Sequence, residues 1–319
     1  MRIVFMGTPD FSVPVLETLT GSCHQVVAVV TQPDKPKGRG KEIQMSPVKE
    51  TALKHNISVY QPLRAREASF IEEMRALRPD VMVVIAFGQI LPKELLSVPR
   101  YGCVNIHASL LPKYRGAAPI QWAVINGDKK TGLTTMLMDE GMDTGDMLEK
   151  REITLDEKET GGSLFDRLSL LGGELILSTL DGLEKGTLVR TPQNHQEATY
   201  VKKIPKSLGE VDWTMDGEAI ERLIRGLNPW PSAYTWLNGR MLKLWEAEVL
   251  PAETRKNLGN GEESICGQIL SATEAGLKVQ TGNGILNITS LQLEGKKRMD
   301  TAAFLRGFTV QEGVCLERS

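Results

Sequence analysis

The sequence predicts an α/β protein in two parts: a mostly parallel sheet with helices on both faces, followed by a small β-barrel. The first half alternates short apolar, β-branched runs with amphipathic stretches, a pattern typical of buried parallel strands separated by helices. The last third instead contains short apolar runs separated by turn residues such as Asn238-Gly239, as in antiparallel hairpins. The 319 residues are enough for one large domain and one smaller domain.

Five strands and four helices are predicted in the first part. The predicted strands are Ile3–Met6, Val26–Thr31, Val81–Ala86, Val104–His107 and Thr134–Met138. The predicted helices are Val13–Leu19, Pro47–His55, Ala68–Leu77 and Ala118–Asn126. Together they predict a Rossmann-like sheet, and ligands of such sheets bind beyond the carboxyl ends of the strands. The functional residues are therefore expected where strands end.

The second part begins after a polar, proline-containing stretch, Thr191–Gly209, which we interpret as a basic interdomain linker. One helix is predicted there, Asp216–Leu227, with five short strands: Ala233–Leu237, Met241–Val249, Gly267–Leu270, Leu277–Gln280 and Ile285–Leu291. Five short strands of this kind predict a barrel of the OB type. The predicted domains are therefore residues 1–190, the linker 191–209, and residues 210–319.

The composition is that of an ordinary globular protein, with 41% apolar residues, 24% charged residues and a net charge of −2. A nearly neutral chain does not bind nucleic acid non-specifically through its net charge, so RNA binding would have to come from local basic patches. The four cysteines and four histidines are scattered, which argues against a metal site or a disulfide framework and favours a reducing cytoplasm. We expect no signal peptide and no membrane helix, which would need about 20 apolar residues in a row.

Two glycine-containing motifs do not indicate a nucleotide cofactor. Gly7-Thr-Pro-Asp-Phe11 follows the first predicted strand but lacks the glycine spacing of a dinucleotide-binding loop. Gly38-Arg-Gly-Lys41 lacks the spacing of a phosphate-binding P-loop. Neither motif supports NAD or ATP.

The informative segment is Asn105–Gly116, which reads Asn-Ile-His-Ala-Ser-Leu-Leu-Pro-Lys-Tyr-Arg-Gly. Asn105 and His107 are two residues apart at the end of a predicted strand, so their side chains point to the same face. An amide can donate to an oxygen that becomes negative, while an imidazole moves protons or stabilises that charge. The alternative is that an asparagine and a histidine merely close a strand.

A glycine-rich loop with four carboxylates, Asp139–Asp146, follows another predicted strand. A carboxylate there could pair with His107, favour the imidazolium and fix its tautomer. Taken alone, the loop could equally be a solvated acidic surface or a calcium loop. It lacks the spacing of calcium-binding loops, so no metal is expected.

Together these segments resemble the folate-dependent formyltransferases, whose signature is Asn-x-His followed by Ser-Leu-Leu-Pro and an Asp-Thr-Gly loop. The resemblance implies that Asn105, His107 and Asp143 are catalytic and that 10-formyltetrahydrofolate is the co-substrate. It also implies a folate pocket formed by two runs: Ser109, Leu110, Leu111 and Pro112, and then Phe87, Gly88, Gln89, Ile90 and Leu91. In the second run, the apolar residues could instead belong to the core.

Further motifs in both parts are similar to those of family members that act on methionyl-tRNA: Gly7–Phe11, Thr31–Asp34, Gly38–Lys41, Tyr114–Ile120, Glu197–Tyr200 and Asn228–Pro231. The resemblance covers essentially the whole chain, and it implies that the amine of methionyl initiator tRNA accepts the formyl group. It departs at a polar stretch, Ala252–Glu263, that contains no expected site residue. Direct attack of the amine is expected, with Asn105 and protonated His107 stabilising the oxyanion.

Basic residues are expected to bind the tRNA. The loop Asp34–Lys49 carries five positive and two negative charges, a local excess of +3. Alone, such a loop is more often a solvated surface, but the resemblance implies that it enters the acceptor-stem end of the tRNA through Lys35, Lys37, Arg39 and Lys41. A second set of cations is expected to hold tRNA phosphates: Lys202, Lys203, Lys206 and the cluster Lys296–Arg298.

Two other functions stay open on the sequence. A formyltransferase acting on a UDP-amino sugar would use the same catalytic residues, although it would need neither the basic loop nor the cationic linker. A non-catalytic RNA-binding protein on the same scaffold would have no use for an intact Asn-His-Asp set. We expect a monomer, because no self-complementary patch is visible in the sequence.

Overall fold

The computed structural model describes residues 1–37, 42–251 and 265–318. The chain forms two compact units. The first comprises Met1–Pro119, Lys130–Thr154 and Phe165–Val201, and the second comprises Ile120–Lys129, Leu155–Leu164 and Lys202–Ser319. The stretch predicted as a linker, residues 191–209, is thus divided between the units after Val201.

The first unit contains eleven described strands and most of the helical residues. The strands are β1 (Arg2–Gly7), β2 (Gln25–Val30), β3 (Lys35–Lys37), β4 (Glu42–Gln44), β5 (Val59–Tyr60), β6 (Val81–Ile85), β7 (Cys103–His107), β8 (Arg115–Gly116), β9 (Lys130–Leu137), β10 (Met147–Thr154) and β11 (Tyr200–Val201). The helices along this part of the chain are α1 (Val13–Thr20), α2 (Pro47–Lys54), α3 (Ala68–Ala76), α4 (Lys93–Leu96), α5 (Pro119–Ile125) and α6 (Gly161–Lys185). All of α5 but Pro119, and the first four residues of α6, belong to the second unit.

Seven of these strands form one sheet in the order β10-β9-β7-β6-β1-β2-β5. The five strands from β7 to β5 are parallel. The chain builds outward from β1 to β2 and β5 on one side and then adds β6 and β7 on the other. Ligands of such sheets bind where the order reverses, here at the ends of β1 and β6. The predicted mostly parallel α/β sheet is confirmed.

The strand predicted at Thr134–Met138 differs in direction from its neighbours. It is β9, which runs antiparallel to β7, with Thr135 opposite Ile106. All but its end residues are buried, so its sequence lacks the polar alternation that marks a half-exposed antiparallel strand. Because of this direction, the chain leaves β9 beside the start of β7, where the Met138 N–H donates to the Cys103 carbonyl.

The second unit is built on an antiparallel sheet, which confirms the predicted separate β domain. Its elements are α7 (Gly217–Gly226), β12 (Ala233–Leu237), β13 (Arg240–Leu250), β14 (Ile269–Thr273), β15 (Gly276–Gln280), β16 (Ile285–Leu293), β17 (Met299–Asp300) and α8 (Thr301–Gly307). The strand order is β12-β13-β16-β15-β14, with β17 on β16. Apolar side chains that alternate along these strands pack into one core, including Leu242, Leu277 and Ile288.

A segment near the end of the chain closes this sheet. Trp236, on β12, exchanges two backbone hydrogen bonds with Glu317. On the opposite edge, the Ile269 N–H donates to Val314 and the Gly313 N–H donates to Ile269. Residues 313–317 therefore bridge the two ends of the strand order, which the sequence analysis did not predict.

Candidate active site

Asn105 and His107 lie on β7, and the alternation of a strand places both side chains on the same face of the sheet. His107 is buried, with 7% of its surface exposed, whereas Asn105 is half-buried. Among the described residues, no side chain or backbone group hydrogen-bonds the Asn105 amide. That amide is therefore available to donate to a ligand.

Asp143 reaches His107 from the loop that follows β9. Its Oδ2 lies 3.8 Å from Nδ1 of His107, and the Gly116 backbone N–H donates to the same oxygen at 2.8 Å. Asp143 has a φ of 55°, a left-handed conformation that an aspartate keeps only when its surroundings hold it there. Since β9 ends beside Cys103, this loop spans the length of β7 to bring the carboxylate to the imidazole.

The two ring nitrogens of His107 have different surroundings. Nε2 lies 2.9 Å from the Tyr114 carbonyl oxygen, and because a carbonyl only accepts, Nε2 carries the hydrogen. Nδ1 faces Asp143 at a distance beyond that of a hydrogen bond. Nδ1 therefore remains available to a proton or to a substrate group, and the nearby carboxylate stabilises positive charge on the ring.

A pocket of about 210 Å³ lies between the loop after β6 and the loop after β9. Three residues of the predicted folate wall line it, Gln89, Ile90 and Leu91, together with Met136, Met138 and the run Asp139–Asp143. Ile90 and Met142 are large apolar residues with 83% and 63% of their surfaces exposed. Exposed apolar side chains at the mouth of a pocket indicate a binding site for an apolar or aromatic group.

The other residues predicted to contact folate are mostly buried. Ser109, Leu111 and Phe87 have almost no exposed surface. The Ser109 hydroxyl donates to the Lys113 carbonyl at 2.6 Å, which closes the turn formed by the Ser-Leu-Leu-Pro run. Pro112 is also buried, whereas Leu110 is half-buried and Gly88 is exposed. Direct contact of this set with folate stays a prediction.

The basic loop is a hairpin whose base is anchored by side chains. Lys35 pairs with Gln44 across β3 and β4, and its own side chain is exposed. At the base, Lys49 binds Asp34 at 2.6 Å, and this hydrogen bond lowers the pKa of Asp34. Lys37 lies in β3, whereas two of the predicted tRNA-binding residues, Arg39 and Lys41, lie outside the described residues.

The predicted linker cations belong to the second unit. Lys202, Lys203 and Lys206 are exposed, and buried Ile204 anchors the segment between them. Within the described ranges, these three ammonium groups have no ion-pair partner. They are free to bind an anion.

Arg115 and Gln193 were not predicted as site residues. Arg115 is fully buried, and its guanidinium donates to the side chain of Gln193. Gln193 in turn binds the loop that carries Asp143. The two residues lie 78 positions apart, so no local spacing indicates their contact. The signal in the sequence was Arg115 itself, a charged residue inside a motif next to His107.

In the part of the chain that the structure describes, no group of histidine, cysteine, aspartate or glutamate side chains could hold a metal ion. No helix among the described residues is long and apolar enough to cross a membrane.

Comparison with known proteins covers both parts of the chain. A formyl transferase model matches residues 1–180, and a model of the formyl transferase C-terminal domain matches residues 203–309. The methionyl-tRNA formyltransferase of Agathobacter rectalis is 56% identical over 313 residues, which is 98% of this chain and 98% of that protein.

Two solved structures show the same fold at low identity. HypX from Aquifex aeolicus, in complex with tetrahydrofolic acid, is 18% identical with a TM-score of 0.61, over 100% of this chain; this chain spans 51% of HypX. WlaRD, a sugar 3N-formyl transferase solved with dTDP and 5-N-formyl-THF, is 17% identical with a TM-score of 0.65, over 93% of this chain and 99% of WlaRD. At such identities the likeness concerns the fold alone.

Proposed function

The chain belongs to the formyl transferase family, and from this premise we propose that it transfers the formyl group of 10-formyltetrahydrofolate to the amino group of methionyl initiator tRNA. The observation that carries the proposal is the approach of His107 and Asp143 beside a pocket that Asp143 also lines. Asn105 stands on the same strand face, with a free amide. Two relatives that are 56% and 54% identical to this chain, over 98% and 99% of their own lengths, are named methionyl-tRNA formyltransferase.

The pocket fits a flat, partly polar ring such as the pteridine of a folate. Ile90 and Met142 supply apolar surface, and the carboxylates of Asp139 and Glu140 supply acceptors for ring N–H groups. The Asp139 side chain is held in place by its Oδ1, which accepts hydrogen bonds from the Gly141 N–H and the Thr144 hydroxyl. The folate is a co-substrate that is consumed in the reaction.

We propose direct transfer without a covalent enzyme intermediate. The amine lone pair forms a bond to the formyl carbon, and the carbonyl π electrons move to the oxygen. The Asn105 amide donates to this oxyanion, and charged His107, supported by Asp143, stabilises it. Ser109 is not a nucleophile in this scheme, because it is buried and its hydroxyl is engaged with Lys113.

The intermediate then collapses by breaking the bond between the formyl carbon and the folate nitrogen. The oxyanion electrons re-form the carbonyl, the folate nitrogen gains a proton, and the attacking nitrogen loses one. His107 Nδ1 is free to donate the proton to the folate nitrogen and then to accept the proton that the attacking nitrogen loses, directly or through a water. An ordinary α-amino group titrates near ~8, so a useful neutral fraction of the amine exists without a strong base.

The exposed cations support a tRNA acceptor over a sugar nucleotide. Lys35, Lys202 and Lys203 present ammonium groups to solvent, and such groups bind phosphates while releasing counterions. Lys37, Arg39, Lys41 and Lys206 complete the proposed set. A UDP-amino sugar carries few phosphates and would use few of these cations. We place the reaction in the cytoplasm, with the chain acting as a monomer.

The test is a formylation assay with two acceptors. The chain is incubated with 10-formyltetrahydrofolate and either methionyl-tRNA or a UDP-amino sugar, and formylated product is quantified. We expect N-formylmethionyl-tRNA, together with a tRNA affinity that falls steeply as salt is raised. Formylation of the sugar alone would overturn the proposal, and tRNA binding without formylation would indicate a non-catalytic protein.

A further inference from the structure

A buried arginine lies behind the loop that carries Asp143. The Arg115 guanidinium donates to Gln193 Oε1 through Nε at 3.0 Å and through Nη2 at 2.7 Å. Its Nη1 donates to Tyr200 Oη at 3.0 Å and lies 3.2 Å from His195 Nδ1. Removal of a guanidinium from water is costly unless its N–H groups are bonded. These contacts therefore hold Arg115 and its partners in one arrangement.

Gln193 transmits this arrangement to the loop. Its Nε2 donates to the backbone carbonyls of Asp143 and Gly145, each at 2.8 Å. Since an arginine only donates, the amide oxygen faces Arg115 and the NH₂ group faces the loop. Both N–H groups and both lone pairs of the amide are thereby used, so the side chain has one orientation. The orientation of Gln193 fixes two carbonyls of the catalytic loop.

The backbone on either side of Arg115 contacts both catalytic side chains. The residue before it, Tyr114, accepts from His107 Nε2 at 2.9 Å. The residue after it, Gly116, donates to Asp143 Oδ2 at 2.8 Å. The backbone at Tyr114–Gly116 therefore binds both the imidazole and the carboxylate, and the Arg115 side chain ties the same segment to the Asp143 loop a second time through Gln193.

We propose that Arg115 and Gln193 are positioning residues, which hold Asp143 in its left-handed conformation at the distance from His107 that catalysis requires. The inference rests on the proposed function, because it assigns these residues to the same reaction. Neither side chain lines the pocket, so both act through Asp143 rather than on the substrate. Nothing in this role requires a change of charge at Arg115.

The first variant is Gln193→Met, which keeps the length of the side chain and removes all four hydrogen bonds. We expect kcat for methionyl-tRNA formylation to fall about 100-fold, the cost of misplacing a catalytic group by roughly 1 Å. The matched control is Gln280→Met in the other unit. Gln280 is 3% exposed against 5% for Gln193, and its Nε2 also donates to two carbonyls, those of Thr281 and Gly284. The control loses two hydrogen bonds rather than four, because Gln280 Oε1 has no partner among the described residues; it should keep its kcat and lose less thermal stability than Gln193→Met.

A double-mutant cycle separates positioning from a structural role. If Gln193 acts through Asp143, then Gln193→Met should lower kcat less than about twofold in an Asp143→Asn background, because the aligned carboxylate is already gone. A structural role would lower kcat by the same factor in both backgrounds. Equal factors would overturn the inference.

Gln193→Glu tests the loss of the two hydrogen bonds to the loop while Arg115 keeps an acceptor at this position. A glutamate at this position gives Arg115 a carboxylate partner, but it has no N–H to donate to Asp143 and Gly145 and turns an oxygen towards their carbonyls. We expect kcat to fall at least as far as in Gln193→Met, while cooperative thermal unfolding shows that the protein is still folded. An unchanged kcat would overturn the inference. Inactivity of the unchanged protein on methionyl-tRNA would instead overturn the proposed function.

Discussion

The loop that carries Asp143 and the hairpin β3–β4 that carries Lys35 are organised in opposite ways. In the first, Gln193 binds two carbonyls and Gly116 binds the carboxylate. In the second, Ile43 has 74% of its surface in solvent, and Lys35 has no ion-pair partner in the described part of the chain. The difference indicates that the group proposed for chemistry is held by the protein before substrate arrives, whereas the described side chains of the surface proposed for RNA are presented to solvent.

The largest effect is expected at β7, next to the Asp143 loop, when the free amide of Asn105 is removed. Asn105→Ala deletes an amide that makes no hydrogen bond within the described structure, so stability should change little. Loss of one oxyanion donor costs on the order of 3 kcal/mol, so kcat should fall about 100-fold or more. Steady-state kinetics and thermal unfolding check the two halves of this expectation. Near-normal turnover would remove Asn105 from the mechanism.

A charge change in the hairpin should act on binding alone. Lys35→Ala should weaken tRNA affinity severalfold and lower the slope of log Kd against log salt by about 1, because one phosphate contact is lost. The affinity for folate and kcat at saturating tRNA should stay the same. Lys185→Ala is the control, since Lys185 is paired with Asp181 at 2.7 Å. If both variants show the same slope as the unchanged protein, the hairpin does not bind the tRNA backbone.

The smallest effect on activity is expected from thiol modification. It distinguishes a buried cysteine from exposed ones. Burial raises the pKa of Cys103 to about 12, so at pH 8 roughly one molecule in 10⁴ carries the thiolate. Cys23 and Cys266 are exposed. Iodoacetamide at pH 8 should alkylate these two and leave Cys103 and activity intact, as mass spectrometry would show. Rapid alkylation of Cys103 in the folded protein would contradict its buried position in β7.

Local patterns predicted much of the fold and the two residues on β7. Strand boundaries agree closely, as at Ala233–Leu237, because apolar runs and turn residues are local signals. Asn105 and His107 share a face as predicted, since strand alternation has a period of two. Asp143 was chosen by resemblance, and its approach to His107 depends on the direction of β9, which a fully buried strand does not reveal.

The site residues that were missed depend on contacts between distant residues. Arg115 and Gln193 meet across 78 positions, and the Tyr114 carbonyl that binds His107 belongs to the backbone, which every residue has. No element was predicted between Met138 and the linker, where β10 and α6 lie. The amphipathic pattern of α6 is a local signal that was overlooked. Hydrogen bonds between distant residues, such as those between Arg115 and Gln193, produce no periodic pattern in the sequence.

The segment 313–317 pairs with both β12 and β14, and this has a consequence for proteolysis. A single cut in the exposed stretch before Gly313 would release a strand that serves two edges at once. Each edge would then present unpaired N–H and C=O groups, the usual template for strand pairing between molecules. Damage at one peptide bond would thus turn a closed sheet into one that aggregates from both sides.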